Sequence, residues 1–176
     1  MIKTTLLVIA AAIALIAVYA AFKPTTFLIE RSTVIAAPPA RVFGLINDLK
    51  AFNRWNPFAK QDPSLKLQYE AITEGSGAAY RWDGPKAGIG RMQISASVPS
   101  QQIMLDLDFS KPMQAHNKVV FSLVPQGTGT QVSWAMSGAM PYAHRLMTVF
   151  FSMDKMVGTQ FEAGLVDLKA LAETPE

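Results

Sequence analysis

The sequence has no cysteine, only two histidines, and charge on just 16% of its 176 residues. Without cysteine there is no disulfide framework, no thiolate metal site and no thiol redox chemistry. A phosphate-binding loop is missing too. Glu74 to Met92, EGSGAAYRWDGPKAGIGRM, holds five glycines in nineteen positions. A phosphate cradle, however, needs its glycines between the end of a strand and the start of a helix, where N–H groups and the helix dipole meet the anion. Here strand patterns follow both glycine pairs, no Gly-Lys-Ser or Gly-Lys-Thr occurs, and Gly88-Ile-Gly90-Arg-Met-Gln93 lacks the third glycine. These glycines supply turns. The net charge is only +3 with the basic residues scattered, so no nucleic-acid footprint is present.

What the chain has in excess is apolar sequence at its start. Leu6 to Phe22, LLVIAAAIALIAVYAAF, is seventeen apolar residues in a row, extended without charge by Thr4 and Thr5. At about 1.5 Å of rise per residue, the stretch 4–22 spans roughly 28 Å of a hydrocarbon core of about 30 Å. Lys3 and the amino terminus precede it and Lys23 follows it. Two readings stand. Val18-Tyr19-Ala20 satisfies the small-residue rule for a cleaved signal peptide, giving a periplasmic or secreted product. The apolar region is longer than a signal core, which favours an uncleaved single-pass anchor over residues 1–23, in a cell membrane of bacterial type. The charge flanks favour a domain outside the cytoplasm. Ala10, Ala14, Ala17 and Ala21 share one helix face and would permit an anchor-mediated dimer. The anchor is expected to take no part in the folded domain, residues 24–176, which is one domain's worth of chain.

In that domain the periodicity changes twice. Thr26 to Ala36 alternates and is rich in β-branched residues, the pattern of a strand. Pro38 and Pro39 suit a helix start, and Val42, Leu45, Ile46 and Leu49 make one apolar helix face. A short second helix is expected over residues 50–54, stopping before Pro57. From Ser64 to Gly138 the period is two, in six runs separated by Gly and Pro turns, which implies an antiparallel meander with one apolar face. After Pro141 the helical period returns. Leu146, Phe150, Met153, Val157, Phe161, Leu168 and Leu171 form one stripe, read as a single helix of nearly thirty residues. Gly158 and Gly164 interrupt it, each costing about 1 kcal/mol relative to alanine, and close approach to the sheet is the expected compensation.

The order of elements and several local sequences resemble a known superfamily. Phe27-Leu-Ile-Glu-Arg-Ser32, Ala37-Pro-Pro-Ala-Arg-Val-Phe43, Trp55-Asn-Pro-Phe58, Gly77-Ala-Ala-Tyr-Arg-Trp82, Gly88-Ile-Gly-Arg-Met92 and Gly127-Thr-Gly-Thr-Gln-Val-Ser-Trp134 are similar to the SRPBCC, or START-like, domains. More narrowly they resemble the polyketide cyclase/dehydrase and lipid-transport group, over residues 26 to 172. The resemblance implies an α+β helix-grip fold: a curved antiparallel sheet of about seven strands wrapped around a long C-terminal helix. It also implies an apolar cavity between the two, used by relatives for lipids, quinones or polyketides, with catalysis of cyclisation in a minority. It carries no shared catalytic motif, so fold alone does not decide activity.

Candidate residues follow from strand parity. Tyr80, Trp82, Met92, Phe109, Phe121, Trp134 and Met136 share the apolar parity, and Phe150 and Met153 face them from the helix. These nine, with Trp55 and Phe58 shaping the mouth or packing the short helices, are the expected ligand-binding residues. Methionine adapts to variable apolar guests, and Tyr and Trp keep a polar handle. The same residues would equally fill a solid core. No catalytic, metal or cofactor site can be assembled. His116 lies on the polar parity beside Lys118, His144 in the first turn of the last helix, and Asp106 and Asp108 on the outer face without further ligands. The expectation is a tethered binder of a hydrophobic small molecule. A cyclase- or hydrolase-type enzyme using the same cavity, or a partner-binding domain with a filled core, are the alternatives.

Overall fold

The six period-two runs form the strands that their parity requires. In the computed structural model, which describes residues 2–174, β1 (Thr26–Ile35), β2 (Lys66–Tyr69), β3 (Ala79–Gly84), β4 (Gly88–Val98), β5 (Gln102–Lys111), β6 (Ala115–Gln126) and β7 (Gly129–Ala139) make one antiparallel sheet. The order is β1-β7-β6-β5-β4-β3-β2, so the meander runs from β2 to β7 and the first strand closes beside the last. Register shifts in β4 at Ile89/Gly90 and Ile94/Ala96 increase the local twist of the sheet. Trp82 pairs with Gly90, and a Cβ at Gly90 would run into the indole, so this glycine lets Trp82 lie across its neighbour strand.

Three short helices connect β1 to β2: α2 (Pro39–Asn47), α3 (Leu49–Trp55) and α4 (Pro57–Gln61). The sequence pattern gave the first two. The third arises because Pro57 occupies its first turn, where a missing N–H costs nothing, and the Asn56 side chain caps it by accepting from Phe58 N.

The C-terminal helix is not continuous as its stripe suggested. α5 (Tyr142–Met147) ends at Thr148, and α6 (Met153–Glu173) begins after Ser152, whose side chain accepts from Lys155 N. Valine and phenylalanine at 149–151 have modest helix propensity, and a serine that can cap competes with helix continuation. Along α6 the two glycines do approach the sheet side. A Cβ at Gly164 would stand 2.8 Å from the Trp134 ring, and one at Gly158 would collide with the Arg31 guanidinium. That guanidinium bridges β1 to α6 through Asp154 at 3.0 Å and Glu162 at 2.6 Å. Close charge pairing raises the Arg31 pKa and lowers that of Asp154 below its ordinary value.

The apolar N-terminal run is α1 (Ile2–Ala21), long and apolar enough to cross a membrane. Contrary to expectation, its last turn joins the domain. Tyr142 donates its hydroxyl to Ala17 O, Arg145 donates to Ala21 O and Lys23 O, and Lys23 donates to Thr148. Ala20 is buried in this contact, while most of α1 is exposed.

Candidate functional site

The inward faces of sheet and α6 meet tightly at one end and loosely at the other. At the tight end Ile35, Ile94, Ile103, Leu105, Leu123 and Val132 pack against Val42, Ile46 and Leu49 and against Leu165, Leu168 and Ala172 of α6, all fully or nearly fully buried. Between the ends stands an aromatic partition. Trp134 stacks on Phe161 at 4.0 Å between ring centroids, Phe121 lies 5.0 Å from Trp134, and Trp55 stands nearly perpendicular to both Trp134 and Phe121. Phe52 closes it, edge-on to Trp55 at 4.7 Å. Trp55 is fixed by its indole N–H, which donates to Leu45 O at 2.9 Å. Offset and edge-on aromatic pairs of this kind add about 0.5–1.5 kcal/mol each beyond their buried area.

Beyond the partition a cavity of about 240 Å³ opens between the first two turns of α6 and the sheet. That is about eight waters' share of liquid volume, below the roughly 300–1,000 Å³ of drug-sized sites. The strands contribute Tyr80 and Trp82, Met92, Leu107 and Phe109, Asn117 and Val119, and Trp134 and Met136. The helices contribute Phe52, Asn56, Phe58 and Ala59 from the α3–α4 side, and Met153, Val157 and Phe161 from α6. No charged side chain lines it.

Eight of the eleven residues expected from the sequence are thereby brought together: Phe58, Tyr80, Trp82, Met92, Phe109, Trp134, Met136 and Met153. The other three are elsewhere. Phe121 faces inward but is fully buried in the partition, because strand parity distinguishes inside from outside and not core from cavity. Trp55, on α3, is buried there too and packs the short helices, the second of its two expected roles. Phe150 is 64% exposed, since the break after Met147 turns it out of the helical stripe on which its inward placement depended. His144 lies in an outer groove with His116 and Lys118, away from the cavity. His116 pairs with Asp108 at 2.5 Å and approaches Asp106 at 3.9 Å on the exposed face, as the parity of all three residues required.

The sequence reading missed Asn117. It sits at the inward parity of β6, two positions before Val119, and is 6% exposed. A polar residue in an inward-facing series was the available signal. No hydrogen bond joins its side-chain amide to another described residue, and it borders the cavity. The Trp134 indole N–H is likewise buried without a hydrogen-bond partner, whereas the asparagines of α3 and the following turn are tied down. Asn56 donates to Asn53 Oδ1, and Asn53 donates to the Tyr69 hydroxyl and to Leu49 O. Burial pushes the Tyr80 phenol above its ordinary value, with partial relief from Asn53 and Asn56, so the hydroxyl is neutral across the physiological range. The floor is held by Asp62, whose carboxylate accepts from Ser64 Oγ at 2.8 Å, Lys86 N at 2.9 Å and Ala87 N at 3.2 Å. The Ser64 hydroxyl and those backbone N–H groups hold its pKa below the usual carboxylate range against the opposing effect of burial.

This arrangement can enclose an apolar guest between walls that hold two polar groups without a partner, the Asn117 amide and the Trp134 indole N–H. The same fold occurs in solved structures of distant sequence. CV1439 from Chromobacterium violaceum superposes with a TM-score of 0.62 at 19% identity, covering 87% of this chain and all of that one. A protein from Nitrosospira multiformis gives 0.60 at 20% identity, covering 84% and 97%. DynU16, of the dynemicin biosynthetic locus, gives 0.56 at 13% identity, covering 84% of this chain and 47% of its own. No curated protein matches significantly. The sequence profile of the polyketide cyclase/dehydrase and lipid-transport family, an SRPBCC-type family, matches residues 26–173, from the first residue of β1 to the last of α6, and the chain belongs to that family.

Proposed function

We propose that this protein is a membrane-tethered binder of a small, uncharged hydrophobic molecule held between α6 and the sheet. The observation that carries this reading is the composition of the cavity wall: apolar and aromatic side chains, no charge, and two polar groups without a partner, the Asn117 amide and the Trp134 indole N–H. Moving an ionised group into such a wall costs far more than an unpaired neutral group would. A guest with an ionised head is therefore disfavoured, whereas one carbonyl or hydroxyl can pair with Asn117. The volume suits one chain or a small ring system, such as part of a lipid, a quinone or a polyketide-like compound, and not an entire two-chain lipid. Membership of a family described by polyketide cyclisation and lipid transport supports the same class of ligand.

The tether is residues 1–23, and the binding domain is residues 24–176. Hydrogen bonds from α5 to the last turn of α1 support an anchor that is kept over a leader that is cut away. The charge flanks support a domain outside the cytoplasm, and Ala10 and Ala14 remain exposed for a second anchor.

The test uses the native fluorescence of Trp82 and Trp134, both in the cavity wall. The purified full chain in nanodiscs should be quenched by a brominated long-chain alcohol in a saturable way, at one molecule per chain. Val157→Phe, which fills the cavity from α6, should abolish the saturable phase. Quenching that rises only in proportion to alcohol in the bilayer, and is the same in Val157→Phe, would defeat the reading.

A further inference from the structure

Five of the domain's fourteen large exposed apolar side chains cluster around the elbow between α5 and α6. Met147 is 51% exposed, Phe150 64%, Phe151 63% and Met156 62%, and Tyr142 on α5 is 43% exposed. Two adjacent phenylalanines turned mostly outward on the elbow are not explained by packing, because α6 makes its sheet contacts with Met153, Val157 and Phe161 instead. An exposed apolar group of this kind marks a surface that is covered in use.

What covers it follows from the position of the elbow. The hydrogen bonds of Tyr142, Arg145 and Lys23 hold α5 against the last turn of α1, so the elbow begins where the apolar span ends. Phe22 and Tyr19, 85% and 60% exposed, stand at the same level of the span. Lys23, Phe150, Phe151 and Asp154 line one groove with Tyr19, so the two apolar groups are continuous. Arg145 and Lys23 sit where basic side chains reach headgroups, and aromatic residues gather at that depth. Asp154 and Lys155, at the start of α6, mark the return to water.

We propose that the elbow, residues 147–151, is seated in the lipid interface beside the anchor, with Phe150 and Phe151 in the acyl boundary. The occupant is the bilayer, and the inference rests on the reading of α1 as a membrane span. Seating brings the first two turns of α6, including the cavity-wall residues Met153 and Val157, to the membrane surface.

The absence of native cysteine allows single labelling sites in the full chain. Phe151→Cys, Leu15→Cys and Gln101→Cys, each carrying an environment-sensitive fluorophore, are reconstituted in phosphatidylcholine vesicles. Lipids bearing nitroxide at a shallow acyl carbon and aqueous iodide serve as quenchers. The proposal expects strong nitroxide quenching and loss of iodide quenching at positions 15 and 151, with the reverse at 101, an exposed turn residue. If 15 is immersed and 151 is quenched by iodide, the elbow is not seated and the proposal fails while the tether stands. If 151 is shielded from both quenchers, a second protein chain covers the elbow and the proposal also fails. If 15 itself is open to iodide, the span reading fails and takes the proposal with it.

Discussion

Gly164 and Gly44 are both helical glycines, and they predict opposite outcomes for the same substitution. A Cβ at Gly44 meets nothing within 4 Å, so Gly44→Ala should stabilise by about 0.5–1 kcal/mol through helix propensity and unfolded-state entropy. At Gly164 the added carbon would press on Trp134 at 2.8 Å and on Pro57 at 2.9 Å, atoms that belong to the aromatic partition and to the first turn of α4. Overpacking there costs about 1–3 kcal/mol, so Gly164→Ala should be net destabilising despite its better propensity. Urea unfolding of the two variants reads the sign directly. Asp62 predicts a pH dependence. Its native pKa lies below the unfolded value of about 3.9, so its stabilisation is fully present above that value and is lost as pH falls through the lowered native one. Asp62→Asn should therefore unfold at lower denaturant than wild type at pH 7, with the gap narrowing as the buffer is taken below about pH 4. The sequence reading named neither Asp62 nor Asn117, because a periodicity reading follows apolar residues. Asp62 gains its role from a hairpin more than twenty positions away, whereas Asn117 breaks an apolar parity and was legible.

At the level of elements, period-two sequence survives into structure because each inward side chain on these strands has a buried place to occupy. A slip of one residue would expose every one of them. That is why all seven strands and the outward placement of Asp106, Asp108 and His116 could be read from parity. The α5–α6 break shows the limit. Leu146, Phe150 and Met153 keep helical spacing, but spacing does not report whether the helix continues between them. The competing signal was Ser152 followed by Asp154, a cap and a first-turn acid. Ser152→Ala should lower stability by about 1 kcal/mol, within the usual 0.5–2 for a lost cap. Far-UV circular dichroism should not fall if residues 148–152 then join the helix. A drop in helical signal together with stability would mean that the first turn of α6 frays instead.

For the whole molecule, the register ties three features to one end. β1 begins at Thr26 opposite Ala139, Asn117 pairs with Gly138, and Phe109 pairs with Ala115, so the loosely packed part of the interior lies at the end from which α1 departs. A sequence cannot show this, because it depends on where the sheet's curvature diverges from α6, and that is fixed by the partition of Trp55, Phe121, Trp134 and Phe161. The same geometry sets a test of whether the space is unfilled or occupied by the protein's own side chains. At about 24 cal/mol per Å³, a void of this size is costly enough that a side chain grown into it should recover stability. Ala59 lines the cavity from α4. Ala59→Leu adds three carbons there, and at about 0.8 kcal/mol per buried methylene it should stabilise by up to about 2 kcal/mol. In a filled core the same change would be overpacked and would cost about 1–3 kcal/mol. Thermal unfolding of Ala59→Leu therefore separates the two by sign. A gain in stability accompanied by weaker quenching from the brominated alcohol would show that this domain gives up packing energy at the end from which α1 departs to keep room for a guest.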